Sequence, residues 1–143
     1  MKRVQTLLAV LLLSILVAGC AAFTANNSNV SVPLPPGTLS ADEVTLLFSG
    51  QTVESVLDSN GRVSLTYYNP NGELNQSQEG NMRHGNWRVR NDGRICLAFE
   101  EGSEKCRIIV KEGDVYRKYI VKKNGTHERI LYYKSFRAGD LVK

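Results

Sequence analysis

Histidine is scarce in this chain: two in 143 residues. His84 sits in the polar run Asn81-Met82-Arg83-His84-Gly85, and His127 ends the turn-like Asn124-Gly125-Thr126-His127. Both are expected to be exposed loop residues. A triad-type site needs a base held between a nucleophile and an orienting acid, and neither setting supplies that. His-Glu-x-x-His is missing, as are a glycine-rich phosphate loop and zinc-ligand spacing of the cysteines. Glu100, Glu101 and Glu104 gather acid at one hairpin tip, which reads as a solvated turn rather than a cation site. No catalytic residue, metal site or cofactor is therefore expected. Strands do not alternate with helices, which excludes a parallel α/β sheet. There is no repeat of about 20 residues or more and no sign of a second folded domain.

The longest apolar run is Leu7 to Val17, broken only by Ser14. It is too short to span a bilayer, which takes about 20 apolar residues. Lys2 and Arg3 precede it, and Val17-Ala18-Gly19-Cys20 follows. This order resembles the signal peptide and lipobox of bacterial lipoproteins. The resemblance implies that residues 1–19 are an export signal and that Cys20 is the first residue of the mature protein. Cys20 would carry a diacylglyceryl thioether and, in many Gram-negative bacteria, a third, amide-linked palmitate-type chain. One acyl chain binds a membrane only marginally, whereas two or more hold it stably. The expected partner of this end is thus a lipid bilayer. Ala21 stands where an aspartate would retain such a protein at the inner membrane, so the outer membrane, facing the periplasm, is the expected address.

Removing 19 of the 143 residues leaves 124, enough for one domain with a modest core. Lys2 and Arg3 leave with the signal, so 16 basic and 14 acidic residues remain. They are unevenly placed. Cys20 to Glu104 holds 5 basic and 10 acidic residues, and Lys105 to Lys143 holds 11 basic and 4 acidic. A basic half can face anionic lipid or nucleic acid. Export excludes nucleic acid as a partner, and the basic residues are spread out rather than massed. They are read as the solvated outer faces of strands.

Residues 20–38 are polar, aperiodic and end in Pro33, Pro35 and Pro36. Such a segment buries too little apolar surface to offset its ordering entropy and suits a tether. The folded domain is expected over 39–138, with a short tail at 139–143. Ser40 and Glu43 form a capping box, with Leu39 and Val44 as a hydrophobic staple. Val44, Leu47 and Phe48 share one face of a two-turn helix that Gly50 stops. So short a helix must pack on something else.

Beyond it, Asn-Gly, Asp-Gly and Gly-Asp turn signals punctuate β-rich runs. The spacing predicts strands at Thr52–Leu57, Arg62–Tyr68, Glu73–Gln78, Asn86–Arg90, Arg94–Phe99, Lys105–Val110, Val115–Val121 and Arg129–Lys134. Eight strands with tight turns form an antiparallel meander that closes into a small barrel or a two-layer sandwich and so protects its edges. The helix would cap or plug one end. Trp87 and Val89 alternate with Arg88 and Arg90, and Ile95, Leu97 and Phe99 with more polar neighbours, which turns the apolar sets inward. Trp87, Leu65 and Leu97 are candidates for core or for the lining of a ligand cavity.

Cys96 and Cys106 remain once Cys20 is set aside, and in an exported protein two such cysteines are expected to pair. They flank the turn at Glu100–Glu104, and closing so short a loop contributes about 2–3 kcal/mol in the chain-entropy account. Side-chain parity raises a conflict. Cys96 points outward if Ile95 and Leu97 point inward, whereas Cys106 shares the parity of Ile108 and Val110, which read as core. A bulge within Glu100–Lys105 would reconcile them.

The order Phe48-Ser49-Gly50-Gln51-Thr52, Gly85-Asn86-Trp87, Asp92-Gly93, Cys96, Cys106 and Gly113-Asp114 resembles a family of small exported β-domain proteins of proteobacteria. The similarity runs roughly from Leu39 to Val121. That family has no established activity. The resemblance implies export, the disulfide and a β-rich fold, and assigns no catalytic residue. The expected function is that of a non-catalytic, membrane-anchored envelope lipoprotein that binds an envelope component or protein partner. The alternatives are a carrier of a small apolar ligand inside a barrel and an inhibitor of an extracellular enzyme such as lysozyme. A serine hydroxyl cannot replace the thiolate in forming the thioether. Cys20→Ser is thus expected to abolish metabolic labelling with a fatty-acid analogue, and labelling equal to the wild type would exclude the lipid anchor.

Overall fold

The computed structural model describes residues 32–142; the expected signal peptide, Cys20 and the tether up to residue 31 lie outside them. Among the described residues one helix, α1 (Ala41–Phe48), precedes eight strands: β1 (Gln51–Leu57), β2 (Val63–Tyr68), β3 (Glu73–Gln78), β4 (Asn81–Val89), β5 (Ile95–Phe99), β6 (Lys105–Glu112), β7 (Val115–Val121) and β8 (His127–Ala138). Each strand pairs antiparallel with the next, and β8 returns to β1, so the meander closes into a barrel rather than a sandwich. Closure gives every strand a partner on both sides, although β5 and β6 pair over three residues only.

The α1 capping box is present. The Ser40 hydroxyl accepts from the Glu43 backbone N–H at 3.4 Å, and the Glu43 carboxylate accepts from the Ser40 N–H at 2.8 Å. The Ser40 N–H and, second, the Ser40 hydroxyl, which also donates to Glu43 Oε2 at 2.8 Å, hold the Glu43 carboxyl below its usual range. Only the Val44–Leu47–Phe48 side of α1 turns to the barrel, where Val44 and Phe48 are fully buried, while Leu46 is left exposed. Phe48 is the plug. Its ring meets Tyr68, Tyr133 and Phe136 edge to face at centroid distances of 4.9, 5.1 and 5.5 Å. In this geometry a ring edge meets a partner's electron-rich face.

Trp87 completes the packed end. It is 7 % exposed, stands edge-on to Tyr68, and donates its indole N–H to the Asn69 carbonyl at 2.7 Å. Two glycines allow the close approaches around it. A Cβ on Gly85 would lie 2.2 Å from the Ala98 carbonyl oxygen of β5. Gly93 has φ +80°, and a Cβ there would lie 2.6 Å from the Leu39 carbonyl oxygen at the start of α1.

The cysteine conflict resolves without a bulge. Cys96 and Cys106 are directly opposite partners in the β5–β6 ladder and form a disulfide on the outer face. The expectation that Ile108 and Val110 face the core is what fails. They are buried on the outer side of the β6 wall, and Ile109 between them belongs to the core. Thr38 bridges to Val110, and the Leu39 N–H donates to the Ile109 carbonyl at 2.9 Å. The segment entering α1 thus takes the edge of β6 that β5 leaves unpaired. Both flanks of the barrel are more fixed than a tether and a loose tail imply. At the other flank the Thr52 hydroxyl donates to the Gly139 carbonyl at 2.6 Å and accepts from the Leu141 N–H at 2.9 Å.

Two other expectations change. Leu65 is neither core nor lining; it is half-buried on the outer face opposite Glu54, because Ser64 and Thr66 take the inward positions of β2. β8 runs to twelve residues, since register shifts beside Ile130 and Lys134 let it bend around the barrel. Trp87→Ala is expected to cost about 3–5 kcal/mol. Arg88→Ala removes only an exposed pair with Glu104 and should leave the midpoint close to that of the wild type. Urea melts with the disulfide intact check this, and equal midpoints would contradict the packing.

Candidate functional site

The inward side chains change character along the barrel axis. Near α1 they are aromatic and aliphatic. Toward the other end they become Ser55 on β1, Ser64 and Thr66 on β2, and Gln76 and Gln78 on β3. Short polar side chains fill a barrel end poorly, and a cavity of about 350 Å³ remains there, within the roughly 300–1,000 Å³ range of small-molecule sites. Its floor is Tyr68, Ile95 and Leu131, which also belong to the packed core. Its rim is formed by the exposed residues Glu101, Gly102 and Ser103 of the β5–β6 loop. Leu57, Leu97, Phe99 and Ile130 add apolar wall.

The polar wall is largely satisfied within itself. The Ser55 and Ser64 hydroxyls lie 2.9 Å apart. Gln76 donates its amide to Thr66 Oγ1 at 3.0 Å, and Arg83 donates to Gln76 Oε1 at 3.3 Å.

The charge is not balanced. Arg83, Lys105, Arg107 and Lys118 line the cavity, and Glu101 at the rim is the single lining carboxylate. The eight ion pairs among the described residues include none of these five. They join instead pairs such as Arg88–Glu104, Arg117–Glu112, Arg129–Asp58 and Lys134–Glu54 away from the cavity. Burial increases inward. Arg83 and Lys105 are exposed and Arg107 is half-buried, while Lys118 on β7 is only 7 % exposed, between Ile109 and Leu131. The Lys118 ammonium stands 5.6 Å from the Tyr133 ring centroid. Loss of hydration, and then repulsion from Arg107, pull its pKa down to about 8. Burial also lowers that of Arg107, whose guanidinium donates to the Cys106 carbonyl at 2.8 Å.

The residues singled out from sequence divide between these regions. Trp87 is core, Leu97 lines the cavity, and Leu65 and Ile108 do neither. His84 is exposed on β4, not in a loop, with Nδ1 2.8 Å from Asn75 Oδ1. His127 opens β8 and is partly buried, its Nε2 without a hydrogen-bond partner. Glu104 clasps Arg88 with two hydrogen bonds of 2.7 Å. It lies near both cysteine sulfurs, but those sulfurs are bonded to each other and offer no thiolate for a metal.

Sequence reasoning missed Arg107 and Lys118, which it placed on solvated outer faces. The disulfide held the signal: if Cys96 and Cys106 pair outward, Lys105 and Arg107 must point in. No known protein family matches the chain, and a comparison with curated proteins finds no significant match.

An ammonium buried without a counter-charge costs stability. Folding depresses the Lys118 pKa from 10.5 to about 8. The unfolded chain therefore binds more protons across that interval, and the contribution to stability rises with pH from about 8 to 10.5. Below about pH 8 the penalty is fully present. The groups around Lys118 are Arg107, Lys105, Arg83 and Glu101 of the cavity and the phenols of Tyr68 and Tyr133. Lys118→Met is expected to stabilise the domain at pH 7 by about 2–4 kcal/mol and to flatten this rise. Denaturant melts of both proteins at pH 7 and pH 10 measure it, and an unchanged or lowered midpoint at pH 7 would contradict it.

Proposed function

We propose that this chain is a non-catalytic envelope protein, anchored through acyl chains on Cys20, that holds a small molecule in the open half of its barrel. The observation that carries the reading is the cavity of about 350 Å³, kept open in a barrel whose other half is packed by Phe48 and Trp87. Its mixed walls suit an amphipathic molecule better than the wholly apolar ligand expected of a carrier. A tether before residue 37 would leave this barrel free to meet ligand near a bilayer, and Ala21 favours the outer membrane, on the periplasmic side. A protein partner or an enzyme such as lysozyme has less support. The exposed large apolar residues Leu34, Leu46, Val63, Met82 and Leu141 are scattered over different elements rather than gathered in one patch.

Leu97→Trp adds an indole to the cavity wall and should fill much of it. The wild-type protein purified from its own envelope is expected to show a small-molecule adduct in its native mass spectrum, and the Leu97→Trp protein to lose most of it while keeping its strand circular dichroism. The same adduct at the same occupancy in both would exclude the barrel interior as the site.

A further inference from the structure

The cavity's charge narrows what it holds. We infer that the ligand is an amphipathic anion, with a carboxylate or phosphate head against Lys118 and Arg107 and a short apolar body along Leu97, Phe99 and Ile130. This rests on the barrel interior being a binding site. Three observations carry it.

The first is the segregation of pairing. Elsewhere among the described residues eight of eleven arginines and lysines meet carboxylates, as at Arg129–Asp58 and Lys134–Glu54, each within 2.8 Å, and only Lys111, Lys123 and Arg137 do not. The four cations of the cavity meet none. The second is Lys118 itself. An ammonium 7 % exposed, lining a cavity and without an acidic partner, is a costly arrangement for the fold alone. An anion entering the cavity would supply the missing charge, and the hydroxyls of Ser55, Ser64 and Thr66 would offer it further hydrogen bonds. The third is the gradient. Arg83 and Lys105 are exposed, Arg107 is half-buried, and Lys118 is deepest, so positive potential leads from the rim to the floor. Low-dielectric walls around charge of one sign focus the field on an incoming opposite charge. Glu101 at the rim is the one lining group that opposes entry.

The test uses the full lipidated chain in lipid nanodiscs, with the heat of empty nanodiscs subtracted. Four probes share one tail: hexyl phosphate, hexanoate, hexanol and hexyltrimethylammonium. Hexyl phosphate and hexanoate are expected to bind about tenfold or more tightly than hexanol, as charge-assisted contacts require, and the cationic probe more weakly than hexanol. Added salt should weaken the anions and leave hexanol unchanged. Lys118→Met should erase the anion preference while raising the melting midpoint, which shows that the variant is folded. Arg107→Gln should reduce the preference, and Glu101→Gln, on an exposed loop, should increase it. Hexanol binding as tightly as the anions, or a preference that survives Lys118→Met, would overturn the inference and leave the barrel as a neutral binding site. Failure of all four probes to bind would overturn the binding-site reading and the inference with it.

Discussion

Phe48 seated among Tyr68, Tyr133 and Phe136 is the contact on which the rest of the molecule depends. An eight-stranded barrel has an interior wide enough to be filled by side chains or to hold one small ligand. Here the short helix α1 decides which half does which. Two turns of helix are too few to be stable alone, so the capping box and the buried Val44–Phe48 face act together. The barrel end stabilises the helix, and the helix dries that end. What lies beyond its reach is lined by serine, threonine and glutamine and stays open.

The disulfide works from outside. By joining Cys96 to Cys106 across the ladder it fixes the register of β5 on β6, and a slip of one residue would turn every side chain of a strand to the other face. Lys105 and Arg107 point inward because Cys106 points outward. Beyond these few pairs β5 and β6 diverge, and residues 37–39 take the vacated edge of β6. That pairing runs beside Val110, which is buried on the outer side of the wall, and ties the entry of the helix to the barrel.

The distribution of charge separates fold from function. Exposed ion pairs such as Arg88–Glu104 contribute little each, yet they leave the outer surface nearly balanced, and the imbalance falls inside. A barrel selected for stability alone would hold a leucine or methionine at position 118. A side chain that opposes folding and lines the open cavity is the kind of feature that stability reasoning leaves over for binding.

Much of the architecture was legible in the sequence. Turn dipeptides bounded the eight strands, and two of them, Glu73–Gln78 and Val115–Val121, match the strand limits. The capping box marked the helix start, and the alternation of Trp87 with arginines turned that indole inward. These signals are local: a turn needs its own residues, and a period of two is read within one strand. The lipobox-like segment is equally local and concerns residues outside those the structure describes. Whether the meander closes as a barrel or as a sandwich was not legible, because the β8–β1 pairing joins residues about eighty apart and leaves no mark on either strand. Nor was the side to which β2, β6 and β7 turn. Val-Ser-Leu-Thr-Tyr-Tyr and Val-Tyr-Arg-Lys-Tyr-Ile-Val fit either face, and Ile108 with Val110 drew β6 the wrong way, because an apolar residue can be buried on the outside of a barrel wall when another segment covers it. The outward disulfide hints at the side Arg107 takes, but Ser55 on β1, Arg107 on β6 and Lys118 on β7 line one cavity only because the closed barrel brings their strands around it.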